Sequence, residues 1–148
     1  MAFGRSCLIV KATGLPCIQS KNLSNDEKNR VTEIILKRFD NPDEVTHFDK
    51  GKFETVKIGD MTIGRATYEP GWKWSLDVGP EIGEAFCTVE HVGMVISGRA
   101  TAAFSDGRVT EMKAGDLFYI PSEPHDSWVV GDEPYVSLHF VGAGKYAK

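Results

Sequence analysis

Apolar residues recur at helical spacing in one part of the chain, near its N-terminus. The residues in this pattern are Val31, Ile34, Ile35 and Phe39. They are spaced as on the buried face of an α-helix. Ser24 and Glu27 precede them with the spacing of a capping box, and Pro42 follows them as a stop signal. The pattern predicts one α-helix that begins near Ser24 and ends near Asn41.

From Phe53 onward, the pattern changes to short runs rich in Val, Ile, Thr, Phe and Tyr. Gly or Pro interrupts these runs about every 8 to 12 residues, which is typical of a β-sandwich or a small barrel. The predicted strands are Phe53–Ile58, Met61–Tyr68, Trp72–Leu76, Ala85–Ile96, Arg99–Phe104, Arg108–Met112, Leu117–Ile120, Ser127–Val130 and Tyr135–Val141. The sequence therefore predicts a mostly all-β chain with one N-terminal α-helix.

Length, composition and charge exclude several classes of protein. The chain has 148 residues, 41% of them hydrophobic and 26% charged, which is enough for one domain. The longest apolar runs are far shorter than the roughly 20 residues of a membrane-spanning helix, so we expect no membrane partner. The formal net charge is -4, and Lys and Arg are scattered among the acids. Nucleic acid is therefore not an expected partner.

Cysteine usage and the N-terminal residues bear on localisation. The cysteines Cys7, Cys17 and Cys87 are odd in number and irregularly spaced, which is typical of a reducing compartment and favours a cytoplasmic protein. The first 25 residues contain Arg5, Lys11 and Lys21 and no acid. Lys11 interrupts the apolar stretch that a secretory signal requires. A plain N-terminal arm is expected rather than a targeting segment.

Histidines are the main candidates for chemistry. Of the four, His91, His125 and His139 lie in or beside predicted strands, whereas His47 lies in a charged stretch and is expected at the surface. By strand alternation, His91 shares one face with Gly93 and Val95, and both faces of this strand are expected to be buried. We expect Gly93 to leave empty volume beside His91, as a metal or ligand pocket requires. The alternative is a core histidine bonded to a backbone carbonyl.

One segment carries a family resemblance. The stretch from Gly115-Asp116 through a hydrophobic strand and Pro121 to His125 resembles the second motif of the cupin superfamily, and His91 to Gly98 resembles the end of the first. With Glu69-Pro70-Gly71, the resemblance covers about residues 50–142. It implies a double-stranded β-helix barrel of jelly-roll type over residues 46–148. An N-terminal arm and helix over residues 1–45 would then pack on the barrel.

The chain departs from the metal motif of this family. The family usually carries a His-x-His pair and a Glu before the second-motif histidine, and here His91 stands where the Glu is expected. One alignment places Asp77 and Gly79 at the pair, and another places Ala85 and Cys87 there. Neither alignment restores the two histidines.

The remaining candidate ligands are His91, His125 and Asp77, with His139 and Cys87 as additional candidates. Two imidazoles and one carboxylate resemble the facial triad that holds non-haem iron, and the same set suits one divalent ion of Fe, Mn, Ni or Zn. Cys87 has the alternative role of a buried inert thiol. Asp126 is a candidate hydrogen-bond partner that would orient the His125 ring for metal binding.

A ligand pocket is predicted around these residues. Its candidate lining residues are Trp72, Trp74, Gly93 and Trp128. The three tryptophans would form an aromatic wall, or else they pack in the core or in a dimer interface. Cupins commonly dimerise through their sheets, so the strands around Met94 and Tyr119 predict a homodimer.

Two functions follow from the resemblance and the residues. The first is a metal-dependent protein acting on a small chelating organic substrate, as an oxygenase or an isomerase if it is an enzyme. The second is a metal-free cupin that binds or senses a small ligand without catalysis. Fold resemblance alone does not choose between them.

Overall fold

The structure is a computed structural model, and it describes residues 33–148. The strands are β1 (Glu44–Phe48), β2 (Gly51–Ile58), β3 (Met61–Tyr68), β4 (His91–Ser97), β5 (Arg99–Phe104), β6 (Val109–Lys113), β7 (Leu117–Ile120), β8 (His125–Asp126) and β9 (Tyr135–Val141). Two short helices, α1 (Trp74–Asp77) and α2 (Gly79–Ile82), lie between β3 and β4. None of the helices in the described range is long and apolar enough to cross a bilayer.

The strands form two antiparallel sheets. The larger sheet has the order β1-β2-β3-β9-β4-β7, and the smaller has the order β6-β5-β8. Each strand pairing is antiparallel, and the neighbours β3 and β9, or β9 and β4, are far apart in sequence. The buried core draws apolar side chains from both sheets, including Phe53 and Val95 from the larger and Ala100 and Met112 from the smaller. The prediction of a mostly β, barrel-type fold is confirmed.

The predicted burial of β4 is correct for one face of the strand only. His91, Gly93 and Val95 are buried, whereas Val92 and Met94 are half-buried and Ile96 is 48% exposed. The expectation that both faces of this strand are buried is therefore wrong. One face lies in the barrel, and the other lies partly on the surface.

Several predicted elements differ from the structure. The segment Trp72–Leu76 is not a strand, because the chain turns into α1, where the Asp77 carboxylate accepts a hydrogen bond from the Lys73 N–H at 2.7 Å. Residues 85–90 are not in a strand either, and the second-motif strand is His125–Asp126 rather than Ser127–Val130. The edge strand β1 was not predicted, because its charged, largely exposed sequence lacks an apolar alternation.

The predicted N-terminal helix falls mostly on residues that the structure does not describe. Residues 24–32 lie outside the described range, and residues 34–38 contain no helix. Ile34 is 90% exposed and Ile35 is 38% exposed. These two side chains therefore do not form the buried face that their spacing predicts. The arm over residues 1–45, packed on the barrel, stays a prediction.

Candidate metal site in the barrel

Three buried side chains with metal-binding atoms converge inside the barrel. One ligand atom each from Cys87, His91 and His125 lies within 4.8 Å of the others. The Sγ of Cys87 and the Nε2 of His91 are 3.3 Å apart. Two ligands of one tetrahedral zinc ion, at usual Zn–S and Zn–N bond lengths, are separated by about 3.5 Å. The observed distance therefore fits two donors to a single ion.

Backbone pairing holds two of these residues side by side. The Cys87 N–H donates to the His125 carbonyl at 2.9 Å, and the His125 N–H donates to the Cys87 carbonyl at 3.0 Å. This isolated antiparallel bridge places Cys87 beside His125, which also pairs with Phe104 of β5 as the first residue of β8. His91 is fixed independently as the first residue of β4, opposite Ile120 of β7. The cluster thus combines a rigid two-residue bridge with one strand end.

The tautomer of His125 follows from its partner. Its Nδ1 lies 2.8 Å from the Glu123 carbonyl oxygen. A carbonyl oxygen only accepts hydrogen bonds, so Nδ1 carries the proton and Nε2 keeps a free lone pair. A metal-binding histidine is commonly oriented by a backbone carbonyl that accepts a hydrogen bond from its other ring nitrogen. The His91 Nδ1, by contrast, is buried and has no hydrogen-bond partner.

Burial sets the protonation of these groups. Desolvation, with the neighbouring histidines adding to it, lowers the pKa of His91 to about 3. Desolvation also lowers the pKa of His125 and raises the pKa of the Cys87 thiol to about 11. At neutral pH both imidazoles are therefore neutral, as metal binding requires, and the thiol holds its proton until a cation displaces it.

The cluster lines a small, partly open cavity of about 40 Å³. The residues that line the cavity are Tyr68, Trp72, Trp74, Cys87, His91, Met112, Phe118, Ile120, His125, Ser127, Tyr135, His139 and Tyr146. No Asp, Glu, Lys or Arg is among them. The surroundings are mainly aromatic and uncharged.

His139 also lines the cavity but lies outside the three-residue cluster. Its ring centroid is 5.3 Å from that of His91, and its Nε2 is 3.0 Å from the Ser137 hydroxyl oxygen. Desolvation lowers the pKa of this buried ring to about 4. His139 is thus a neutral neighbour of His91, with its Nδ1 buried and without a partner.

Asp77 does not join the histidines. Its carboxylate accepts hydrogen bonds from the Lys73 backbone N–H at 2.7 Å and from the Lys50 Nζ at 3.4 Å, at the end of α1. The side chain is absent from the cavity lining. In the structure Cys87, not Asp77, stands beside His91 and His125, which corrects the placement inferred from the sequence. Asp126, next to His125, accepts hydrogen bonds from Ser75 and pairs with Lys73.

The predicted pocket residues separate into two groups. Trp72 and Trp74 line the cavity, whereas Trp128 and Gly93 do not. Trp128 is half-buried, with the Lys73 Nζ 5.5 Å from its ring centroid. The expectation that Gly93 leaves empty volume is wrong, because a Cβ there would collide with the Leu138 carbonyl oxygen and the Phe118 ring. The space is filled by a close approach of β9 and an aromatic ring.

Sequence reasoning missed the tyrosines of the cavity. Tyr68 and Tyr146 join their hydroxyl groups at 2.8 Å, and the Tyr68 ring stacks on Trp72 at a centroid distance of 3.7 Å. Tyr146 lies beyond the last strand, in a Gly-rich segment that the strand pattern does not cover. Its only sequence signal is a large aromatic residue in an otherwise small and charged C-terminus.

Comparison with known proteins identifies the same region of the chain. A family model described as a cupin domain matches residues 72–141. This range contains every residue of the three-residue cluster. Among curated proteins, no sequence matches the chain significantly.

Solved structures resemble the chain at low sequence identity. An uncharacterized conserved protein with a double-stranded β-helix domain from Klebsiella pneumoniae is 22% identical, with a TM-score of 0.50, and the match covers 76% of this chain and 93% of that one. A protein of unknown function from Rhizobium leguminosarum is 20% identical, with a TM-score of 0.49, covering 62% and 80% of the two chains. A variant of oxalate decarboxylase from Bacillus subtilis is 24% identical, with a TM-score of 0.46; the match covers 67% of this chain and 27% of that one.

Proposed function

We propose that the chain, which is similar to the cupin domain family over residues 72–141, holds one divalent metal ion in its barrel through Cys87, His91 and His125. The convergence of these three buried side chains within 4.8 Å carries the proposal. Three protein ligands leave a fourth position of a tetrahedral ion open, as in catalytic zinc sites. A small molecule entering the cavity would bind there.

The donor set narrows the choice of metal. A thiolate is a soft ligand and imidazole suits Zn, Fe, Ni and Cu, whereas Mn prefers carboxylate and water oxygens. Of the ions considered from the sequence, zinc fits the set best and manganese fits it least. A bound zinc ion supplies Lewis-acid polarisation of an oxygen ligand.

The protein's own groups prepare the site for an ion. The Glu123 carbonyl orients the His125 ring, and burial keeps the His91 ring neutral. The Cys87 thiol, with a pKa of about 11, must release its proton when an ion binds. Metal affinity is therefore expected to rise with pH across the neutral range.

The test is metal content in matched variants, with protein purified without a histidine tag. We expect wild-type protein loaded with zinc to retain about one ion per chain after gel filtration, measured by elemental analysis. Cys87→Ser and His125→Ala should each lower zinc affinity by at least about 100-fold, because loss of a residue that only supports a ligand already lowers metal affinity by about 10- to 100-fold. Exposed His47 on β1 provides the control, since His47→Ala should retain wild-type affinity.

Circular dichroism of each variant separates loss of a ligand from loss of the fold. Folded Cys87→Ser and His125→Ala proteins that retain full zinc content would overturn this site. Failure of the wild-type chain to retain zinc, iron or nickel would overturn the metal proposal as a whole.

The metal-free alternative has its own support in the aromatic, uncharged lining of the cavity. Under that alternative, the 3.3 Å contact between Cys87 and His91 is a thiol–imidazole hydrogen bond. Chelator treatment should then leave small-ligand affinity unchanged. A large loss of affinity after metal removal would favour the metal site instead.

We also propose that the outer face of β4 and β7 forms a homodimer interface. Leu117 is 75% exposed and Tyr119 is 63% exposed on β7, which is an edge strand, and Ile96 of β4 is 48% exposed. An exposed apolar edge strand favours pairing with a second copy.

Sedimentation of Leu117→Glu should show a shift from dimer to monomer. Val109→Glu on the other sheet is the control, and a monomeric wild-type protein would contradict the proposal.

A further inference from the structure

A tyrosine from beyond the last strand fills part of the barrel interior. Tyr146 follows the end of β9 by five positions, yet it is only 6% exposed and lines the same cavity as His91 and His139. Its ring centroid lies 4.6 Å from that of Phe53 and 5.7 Å from that of His91. The side chain is therefore enclosed by aromatic rings, as a small aromatic ligand would be in this barrel.

The hydroxyl group of Tyr146 has a fixed partner inside the barrel. Its oxygen lies 2.8 Å from the hydroxyl oxygen of Tyr68, the last residue of β3. Tyr68 is buried, and its ring stacks on Trp72 at a centroid distance of 3.7 Å, so its position does not depend on Tyr146. A phenolic O–H both donates and accepts, and it can pair with any hydroxyl group that lies in the same place. The barrel thus combines an aromatic pocket with one polar contact.

The residues that carry this tyrosine are held to the barrel mainly by side chains. In the described part of the chain, no backbone hydrogen bond joins residues 143–148 to a strand. Two of these residues, Ala143 and Tyr146, are buried. Lys148 pairs with Glu44 at 3.0 Å on the surface, and an exposed ion pair stabilises a structure little. Release of residues 143–148 therefore breaks few interactions apart from those of the two buried side chains.

An open surface groove borders the same residues. Its volume is about 770 Å³, and residues 142–145 line it together with residues 60–62 and 88–90. The groove gives residues 143–148 room to move away from the barrel while the strands keep their places.

We propose that the space filled by Tyr146 is a binding subsite for a small phenol, an aromatic ring with one hydroxyl group, and that residues 143–148 close this subsite as an internal plug. A phenol takes the place of the Tyr146 side chain, packs against Phe53 and hydrogen-bonds to the Tyr68 hydroxyl, while the plug moves toward the groove. The proposal is independent of the metal proposed above, because neither tyrosine belongs to the three-residue cluster.

The first test measures binding with the plug side chain removed. The probe is p-cresol, which is the tyrosine side chain as a free molecule, and Tyr146→Ala empties the subsite in an otherwise unchanged chain. A tethered side chain competes at an effective concentration on the order of mM, so p-cresol should bind Tyr146→Ala at least about tenfold more tightly than the wild type in calorimetry. Tyr119→Ala, at an exposed tyrosine of β7, is the control and should bind p-cresol as the wild type does.

A second variant tests the hydroxyl contact. Tyr68→Phe keeps the ring beside Trp72 and removes the O–H group. In the Tyr146→Ala background it should weaken p-cresol binding by about tenfold, because the ligand hydroxyl is then buried without its partner. Binding of p-xylene, which has the same shape and no hydroxyl, should not change. Equal losses for the two ligands, or no loss for p-cresol, would overturn the assignment to a phenol.

Trypsin reports release of the plug in the wild type. The peptide bond after Lys145 can be cut only when the plug opens, because Tyr146 is buried, and the cleavage rate follows the population of the open form. Saturating p-cresol should raise this rate several-fold, measured by mass spectrometry, and leave cleavage after Lys113 of β6 unchanged. No acceleration after Lys145 would overturn the plug, and a folded Tyr146→Ala protein that does not bind p-cresol would overturn the subsite.

The cleavage assay also decides the question if Tyr146→Ala does not fold. Acceleration by p-cresol in the wild type that is lost in Tyr68→Phe supports the proposal, and equal acceleration in the two proteins overturns it. Zinc content plays no part in these outcomes, so failure of the metal proposal leaves this one to be judged on its own results.

Discussion

Replacing Gly93 with alanine is expected to destabilise the protein by about 3 kcal/mol, a typical large penalty for overpacking a core. The added Cβ would collide with the carbonyl oxygen of Leu138 on β9 and with the ring of Phe118 on β7. The carbonyl belongs to a strand paired with β4 and cannot rotate away. Relief therefore requires β4 and β9 to separate or Phe118 to move within the core. Urea unfolding at neutral pH measures the loss.

Gly144 provides the matched control for this substitution. A Cβ at Gly144 would meet only Thr62 atoms at 3.8 and 3.9 Å, which is ordinary van der Waals contact. Gly144→Ala should change the free energy of unfolding by less than about 0.5 kcal/mol. Equal stabilities for the two variants would contradict the close approach at Gly93.

Acid is expected to destabilise the metal-free protein well before its carboxylates are protonated. Burial holds the pKa of His91 at about 3 and that of His139 at about 4, against 6.5 for an unperturbed histidine. Between pH 6.5 and about 4, the unfolded chain binds protons at these positions that the folded chain does not. The free energy of unfolding therefore falls as the pH falls, by up to about 1.4 kcal/mol per unit for each histidine.

The total loss between pH 7 and pH 4 is on the order of several kcal/mol. Urea unfolding at several pH values, with a chelator present, measures it. His139→Gln removes one buried titrating ring and should make the dependence on pH shallower. A stability that stays constant from pH 7 to pH 5 would contradict burial of neutral histidines.

The strands were predictable where alternation and turn residues agree. Met61–Tyr68, Arg99–Phe104, Leu117–Ile120 and Tyr135–Val141 have the predicted bounds in the structure. Each alternates or is richly apolar and is bounded by Gly, Pro or Asp. The local sequence is sufficient to predict these strands because one face of each strand is buried, and this burial fixes the two-residue period of apolar positions.

The hydrophobic pattern predicted the wrong element where a side chain takes a backbone hydrogen bond that a neighbouring strand would otherwise accept. Trp72 and Trp74 are both buried, as alternation requires, yet the chain enters a helical turn at Trp74. The Asp77 carboxylate accepts a hydrogen bond from the Lys73 N–H, and the segment keeps only an isolated bridge between Lys73 and Trp128. A sequence window shows the two tryptophans but not this competing hydrogen bond.

The residues of the candidate site were likewise predictable from the sequence only in part. The sequence by itself predicted His91 and His125 as candidate ligands, because a histidine at a strand end next to turn residues stands out in a chain with four histidines. It left Asp77 and Cys87 as alternatives, since the loop between them can be aligned in two ways. Only the tertiary structure decided for Cys87, through its backbone bridge to His125, 38 positions further along the chain. Such a bridge depends on the path of the whole chain around the barrel, and residue spacing along the sequence does not encode that path.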